Sequence, residues 1–260
     1  MSSKHPLQRL SSPAPASLSA LIHITGISSF LSSFLYLSTH PNPINASYGW
    51  HFQYLTIIGL TLALLTFTTG ILADLLTSPA LFRLKNTLSM CTTPLCVLIS
   101  ILYWSIRTID KSLVIPEWAQ LPLIADLGFH AIPSLLLTAD LLLFSPPWPV
   151  TAPQAFALSG VLAFLYWPWV ETCAAHNGFY PYPIFDMVGT KGRVGLFTLS
   201  ALVMTGSTVL LKALYGMVNG REGESGGYEG HGTPLDESSL PEAAGGVARQ
   251  VGWMAKGMGE

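Results

Sequence analysis

Six stretches of this chain, about 16–38, 50–76, 86–108, 120–144, 154–174 and 194–218, are apolar over most of their length. Each runs for roughly 20 residues or more, enough for a helix rising about 1.5 Å per residue to cross about 30 Å of hydrocarbon. No other feature restricts the fold so tightly. A backbone facing lipid must satisfy its own hydrogen bonds, so segments of this kind are helices. The spacing predicts an all-α polytopic membrane helix bundle with about six transmembrane helices. Turn residues divide the segments: Pro41 to Asn45, Ser78-Pro79, Asp110 to Pro116, and Ser145 to Pro149. Pro168, between Trp167 and Trp169, is expected to kink or end the fifth helix. The loop after it, about 175–193, is aromatic and proline-rich.

Charge agrees with this division. Only 10% of the residues are charged, against about 25% in soluble domains. The charges also gather at the end: residues 219–260 hold seven of the 14 acids and 11 of the 23 glycines. Such a segment buries too little apolar surface to offset its ordering entropy, so a disordered Gly/acid-rich tail is expected there. The domain reading is therefore 1–15 as a cytosolic N-terminal segment, 16–218 as the membrane domain and 219–260 as the tail. Eight basic residues fall on the side of the termini (Lys4, Arg9, Arg83, Lys85, Lys212, Arg221, Arg249, Lys256), and four fall opposite (Arg107, Lys111, Lys191, Arg193). The positive-inside rule then puts both termini in the cytosol. The polar stretch before the first apolar run is too long for a compact signal peptide, so that helix is expected to be retained.

Several chemistries lack their signatures. There is no serine elbow, zinc-binding histidine pair, Walker loop or dinucleotide fingerprint. Cys91, Cys96 and Cys173 have neither disulfide nor zinc spacing. No cofactor, metal or nucleic acid is expected. What remains is a set of polar residues inside the apolar segments: His23, Thr56, Asp74, Asp126, His130, Asp140 and Glu171. Intramembrane acids and histidines are costly and usually face the bundle interior. Asp74, Asp140 and Glu171 lie near segment ends, where they are expected to meet headgroups or water. His130 is either a neutral imidazole bonded to a neighbouring helix or a working base. Thr56 either bonds back to the Phe52 carbonyl or acts as a nucleophile. With the second and fourth helices entering from one side, Thr56 would lie about 9 Å deep and His130 about 15 Å.

Tyr48-Gly49, Tyr54-Leu55-Thr56 and Ala73-Asp74-Leu75 resemble the androgen-induced-gene family of multipass membrane hydrolases. Trp169-Val170, Gly178 and Tyr182-Pro183 extend the likeness, which covers most of residues 48–193 in order. The resemblance implies that Thr56 is the nucleophile and His130 the second catalytic residue. It implies a threonine-dependent hydrolase of fatty acid esters of hydroxy fatty acids. Asp126 stands four residues before His130, where the family carries a side-chain amide. Pro133 lies closer to His130 than the pattern expects, and the interval from Trp169 to Tyr182 is longer. One helical turn away, Asp126 is placed to orient the His130 ring. Tyr54, Tyr180 and Tyr182 are candidates for a pocket wall or lid, in competition with simple interfacial anchoring of the two later tyrosines.

The expected partners are membrane lipids and a lipid ester. The expected location is the endoplasmic reticulum or the plasma membrane. Two other classes stay open from the residues alone. One is a non-enzymatic lipid-binding, channel or transport protein. The other is a haem-binding redox protein using His23 and His130 as axial ligands.

Overall fold

A computed structural model describes residues 18–115 and 119–220. The expected segment 1–15 and the tail beyond Gly220 lie outside the described residues. Seven α-helices occur among those described: α1 Leu18–Thr39, α2 Leu55–Leu75, α3 Pro79–Ile109, α4 Leu123–His130, α5 Ile132–Phe144, α6 Ala152–Asn177 and α7 Pro183–Asn219. The chain is an all-α polytopic membrane bundle. Helices α1, α2, α3 and α7 are each long and apolar enough to span a bilayer, and α4 with α5 makes a fifth span if the bent pair is taken as one. Helix α6 has the length, at 26 residues, but is not among the helices that also meet the apolar standard. The outer face of α1 carries Leu21, Ile24, Leu31 and Leu35, all at least half exposed, as a face meeting acyl chains should be.

Local chemistry sets the helix ends. Ser78 caps α3 through the Leu81 N–H, with Pro79 in the first turn, where its missing donor costs nothing. Thr151 and Gln154 form a capping box at the start of α6, and Gly178 closes that helix in the left-handed conformation. Pro133 lies in the first turn of α5. Its ring is incompatible with a continuous helix through the preceding turn. The expected fourth helix accordingly breaks at Ala131, and its halves meet at 43°. Pro168 does not end α6, which runs through to Asn177.

Two expectations about this half are corrected. The second segment is not helical from residue 50. It begins as two 3₁₀ turns, Pro43–Ala46 and Trp50–Gln53, and α2 starts only at Leu55. Asn42 caps the first turn. Gly49 has φ +81°, and a Cβ there would fall 2.7 Å from Cys173 Sγ, so only glycine fits that bend. The long loop expected over 175–193 is also shorter. Helix α7 starts at Pro183 and kinks at Gly189, whose φ is +60°.

Helices α1, α2, α3 and α5 pack around one another, and α6 pairs with α7 against α3. Phe30, Leu60, Ala63, Phe67 and Leu137 are fully buried between them. At the end of the bundle away from the 3₁₀ turns, the acids expected to meet water are instead sealed inside. Asp74 and Asp140 have 1% and 0% exposure. His23 bridges them, with Nδ1 2.8 Å from Asp74 and Nε2 3.1 Å from Asp140. Lys85 Nζ lies 2.6 Å from Asp140 and donates to Ser145 Oγ, while Ser19 donates to Asp74. Lys85, expected as a loop charge, is an internal counterion. Glu171 is partly exposed and pairs with Arg193.

Candidate functional site

The other end of the bundle is assembled by α6 clamping the start of α2. Asn177 holds the Tyr48 backbone at both ends, its Oδ1 accepting from the Tyr48 N–H and its Nδ2 donating to the Tyr48 carbonyl. Tyr166 donates to the Gln53 carbonyl at 2.8 Å, and Trp169 Nε1 donates to the Phe52 carbonyl at 2.9 Å. These bonds fix the residues just before Leu55. They also bear on the side chain of Thr56. Thr61, Thr66 and Thr69 of the same helix donate to the carbonyl four residues back. Among the described residues Thr56 makes no such bond, and the carbonyl it would use accepts from Trp169. Thr56 is the second residue of α2, at the helix mouth rather than six residues deep.

His130 ends α4. Its Nδ1 lies 2.9 Å from Asp126 Oδ1 and 3.2 Å from the Asp126 carbonyl. A carbonyl only accepts, so Nδ1 carries the hydrogen and Nε2 is left with its lone pair. No hydrogen bond engages Nε2 among the described residues. Asp126 has 0% exposure and is held in place by residues the sequence reading missed. Tyr103 donates to its Oδ1 at 2.5 Å, and Arg107 forms an ion pair with it. Tyr103 also stacks flat on the His130 ring, 3.5 Å between centroids and 4° between planes. Lone residues of this kind carry no local motif. Only the periodicity of α3, which puts Tyr103 and Arg107 one turn apart, hinted that they share a face.

Thr56 and His130 face common space without a hydrogen bond to each other. Both line a void of about 10 Å³, with Leu60, Ile99 and Phe129. Both also line a cavity of about 100 Å³ under the 3₁₀ turns, with Asn42, His51, Leu121 and Phe129. A further cavity of about 130 Å³ opens between α3, α6 and α7 and also reaches Thr56. It is walled by Leu95, Leu98, Leu162, Phe197 and Met204, and His130 is not part of it.

Tyr182 lines both larger cavities. Its hydroxyl accepts from the Leu55 N–H at 3.1 Å and is hydrogen-bonded to the Thr56 and Tyr166 side chains. Tyr54 lines the cavity it shares with His130 and meets Tyr182 edge to face. Tyr180 is placed apart from both cavities. It donates to Glu171 at 2.6 Å, with the Arg193 guanidinium 4.6 Å over its ring, an arrangement that anchors the short loop before α7. Burial pushes the Tyr54 and Tyr182 hydroxyls up and lowers His51 to about 4, so these three cavity residues are uncharged at neutral pH. The two histidines named as possible axial ligands do not act together. Both His23 nitrogens are occupied by carboxylates.

Comparison with known proteins agrees with the motifs. The chain is 32% identical over 200 residues to a UPF0641 membrane protein of Schizosaccharomyces pombe, a match covering 76% of this chain and 90% of that one. No solved structure matches it. The family model for FAR-17a/AIG1-like proteins matches residues 18–216, the whole of the described bundle but for its last few residues, and the chain belongs to that family.

Proposed function

We propose that this protein is an intramembrane lipid-ester hydrolase with Thr56 as nucleophile and His130 as base, acting on fatty acid esters of hydroxy fatty acids. The observation that carries the reading is the state of the two side chains. His130 is fixed through Nδ1 and free at Nε2, and it shares its cavity with Thr56, whose hydroxyl makes no bond back to its own helix among the described residues. A threonine hydroxyl is a poor nucleophile alone and requires an adjacent base.

In this mechanism the Thr56 Oγ–carbon bond forms as Nε2 takes the hydroxyl proton. The tetrahedral intermediate collapses with cleavage of the carbon–alkoxy bond, and Nε2 returns the proton to the leaving alcohol. Water then attacks the acyl-threonine, with Nε2 again accepting and returning a proton. Asp126, backed by Arg107 and Tyr103, keeps the ring in the tautomer this needs and stabilises the imidazolium. The Tyr182 hydroxyl accepts from the Leu55 N–H and is bonded to the Thr56 and Tyr166 side chains; in this mechanism its hydrogen turns from Tyr166 to the oxyanion.

The same reading takes α4–α5 and α6 as spans, giving six, with both termini in the cytosol of the endoplasmic reticulum or plasma membrane. It places the hydrolase domain at 16–218. The apolar cavity also suits a protein that binds lipid without cleaving it. A fluorophosphonate probe separates the two. Labelling of the wild type that disappears in Thr56→Ala supports the hydrolase. A well-expressed Thr56→Ala protein with full ester turnover rules out the nucleophile.

A further inference from the structure

Thr56 stands where two cavities meet. Among the described residues only Thr56, Tyr103, Val114 and Tyr182 line both, so a substrate whose carbonyl carbon reaches Thr56 must send its two halves in different directions. The cavities differ in a way that fixes which half goes where. His130 lines the one under the 3₁₀ turns and is absent from the one between α3, α6 and α7.

Building on the hydrolase reading, we propose that the acyl chain occupies the cavity between α3, α6 and α7, and the alcohol half occupies the cavity shared by Thr56 and His130. The leaving alkoxy oxygen has to receive a proton from His130 Nε2, so it must lie on the His130 side of the carbonyl. Microscopic reversibility gives the second reason. The water that cleaves the acyl-threonine gives its proton to the same Nε2 and must stand where the alcohol oxygen stood. Departure of the alcohol from the His130 cavity clears that place, while the acyl chain stays bound on the other side of Thr56. The opposite assignment would leave the acyl chain between the base and the incoming water.

The lining fits the division. Away from the tyrosines near Thr56, the acyl cavity is walled mainly by leucines, Phe197 and Met204, and the hydroxyls of its two serines, Ser159 and Ser200, are bonded back to their own helices. The alcohol cavity adds Asn42 and His51, polar groups suited to the oxygen-bearing half of the ester. The acyl cavity also has a floor. Ser159 lies seven residues before Tyr166 on α6, and Met204 lies seven after Phe197 on α7. Tyr166 packs beside Phe197 and bonds at the level of Gln53. Two helical turns, about 10 Å, therefore separate the tyrosine level from Ser159 and Met204. Acyl length is read at that floor, and the identity of the alcohol is read near Ala119 and Leu121.

The test uses the purified full chain in nanodiscs and two ester series, one varying the acyl length on a common alcohol and one varying the alcohol on a common acyl chain. Ser159→Phe should lower kcat/KM for long acyl chains relative to short ones by about tenfold or more and leave the alcohol ranking as in wild type. Ala119→Phe should reorder the alcohols and leave the acyl ranking unchanged. Met204→Phe repeats the first arm if Ser159→Phe does not reach the membrane fraction. Exchanged profiles, or parallel losses on both series, overturn the assignment while wild-type turnover keeps the hydrolase reading. A wild type that hydrolyses neither series ends both.

Discussion

Two histidines in this bundle are each held by a buried aspartate through Nδ1, and they differ at Nε2. In His23 the second nitrogen meets Asp140, which is itself tied to Lys85. Facing two carboxylates, the ring must donate at both nitrogens or leave one carboxyl protonated. The ring packs on bare backbone: a Cβ on Gly70 would fall 2.5 Å from its Nε2. In His130 the second nitrogen is free and the ring borders cavities. A satisfied network of this kind holds α1, α2, α3 and α5 in register and has no capacity left for chemistry. In the proposed mechanism the same acid–imidazole pair works as a base, because one end is left open beside a hydroxyl.

The largest effects should separate these two clusters. Thr56→Ala should abolish turnover, and His130→Ala should lower kcat by about 10²- to 10⁴-fold, the usual contribution of a general base. Neither should lower protein abundance, which a membrane-fraction immunoblot checks. Asp140→Ala should do the opposite. It strips His23 and Lys85 of a buried partner, a loss of about 3–5 kcal/mol, read as protein missing from the membrane fraction. Turnover per folded molecule should hold. If Asp140→Ala were abundant and inactive, the sealed cluster would belong to the catalytic machinery and the contrast would collapse.

A finer test lies within the open cluster. Asp126→Asn should cost about tenfold, at the low end for a residue that orients another. The amide oxygen still accepts from Nδ1–H and restores the residue type the family carries. Equality with His130→Ala would mean that the carboxylate charge, not the hydrogen bond, is required. Asn177→Ala should cost about 1–3 kcal/mol by freeing both ends of the Tyr48 peptide, seen as a lower melting temperature in detergent. If the melting temperature is unchanged, the clamp on the 3₁₀ turns is not what sets the position of Thr56.

The smallest effect concerns pH. His51 folds with its pKa near 4, below its ordinary value of about 6.5. The unfolded chain therefore binds a proton first as pH falls. The stabilising effect of keeping His51 neutral is complete above pH 6.5 and fades between 6.5 and 4. His51→Gln should flatten that part of the pH–stability curve, and an unchanged curve would show that His51 is not its source.

The sequence was informative about spans because hydrophobic length is a property of single segments. It was informative in placing Thr56 and His130 in one region, and both face a common cavity. It was misleading where rotation and partners decide. Asp74 and Asp140 lie near segment ends, yet they face inward because His23 and Lys85 meet them from other helices. Lys85 reads as a loop cation and Arg107 as a charge at a segment end, but they serve as counterions for Asp140 and Asp126. The aromatic run after α6 reads as loop, but only Gly178 to Tyr182 is non-helical, because Pro183 is a good first-turn residue and the bend falls on Gly189. Tyr180 and Tyr182, two residues apart, could not be told from each other by sequence. One anchors a loop through Glu171, and the other touches the site.

The central claim is that Thr56 carries the acyl group. The direct measurement is intact-protein and peptide mass spectrometry after rapid acid quenching of the enzyme with a long-chain ester. The account predicts one acyl mass added to the peptide containing Thr56, and much less of it when His130 is replaced, because Nε2 is the base for the acylation step. It predicts none in Thr56→Ala. Acylation at another residue, or turnover with Thr56→Ala intact and unacylated, would contradict it.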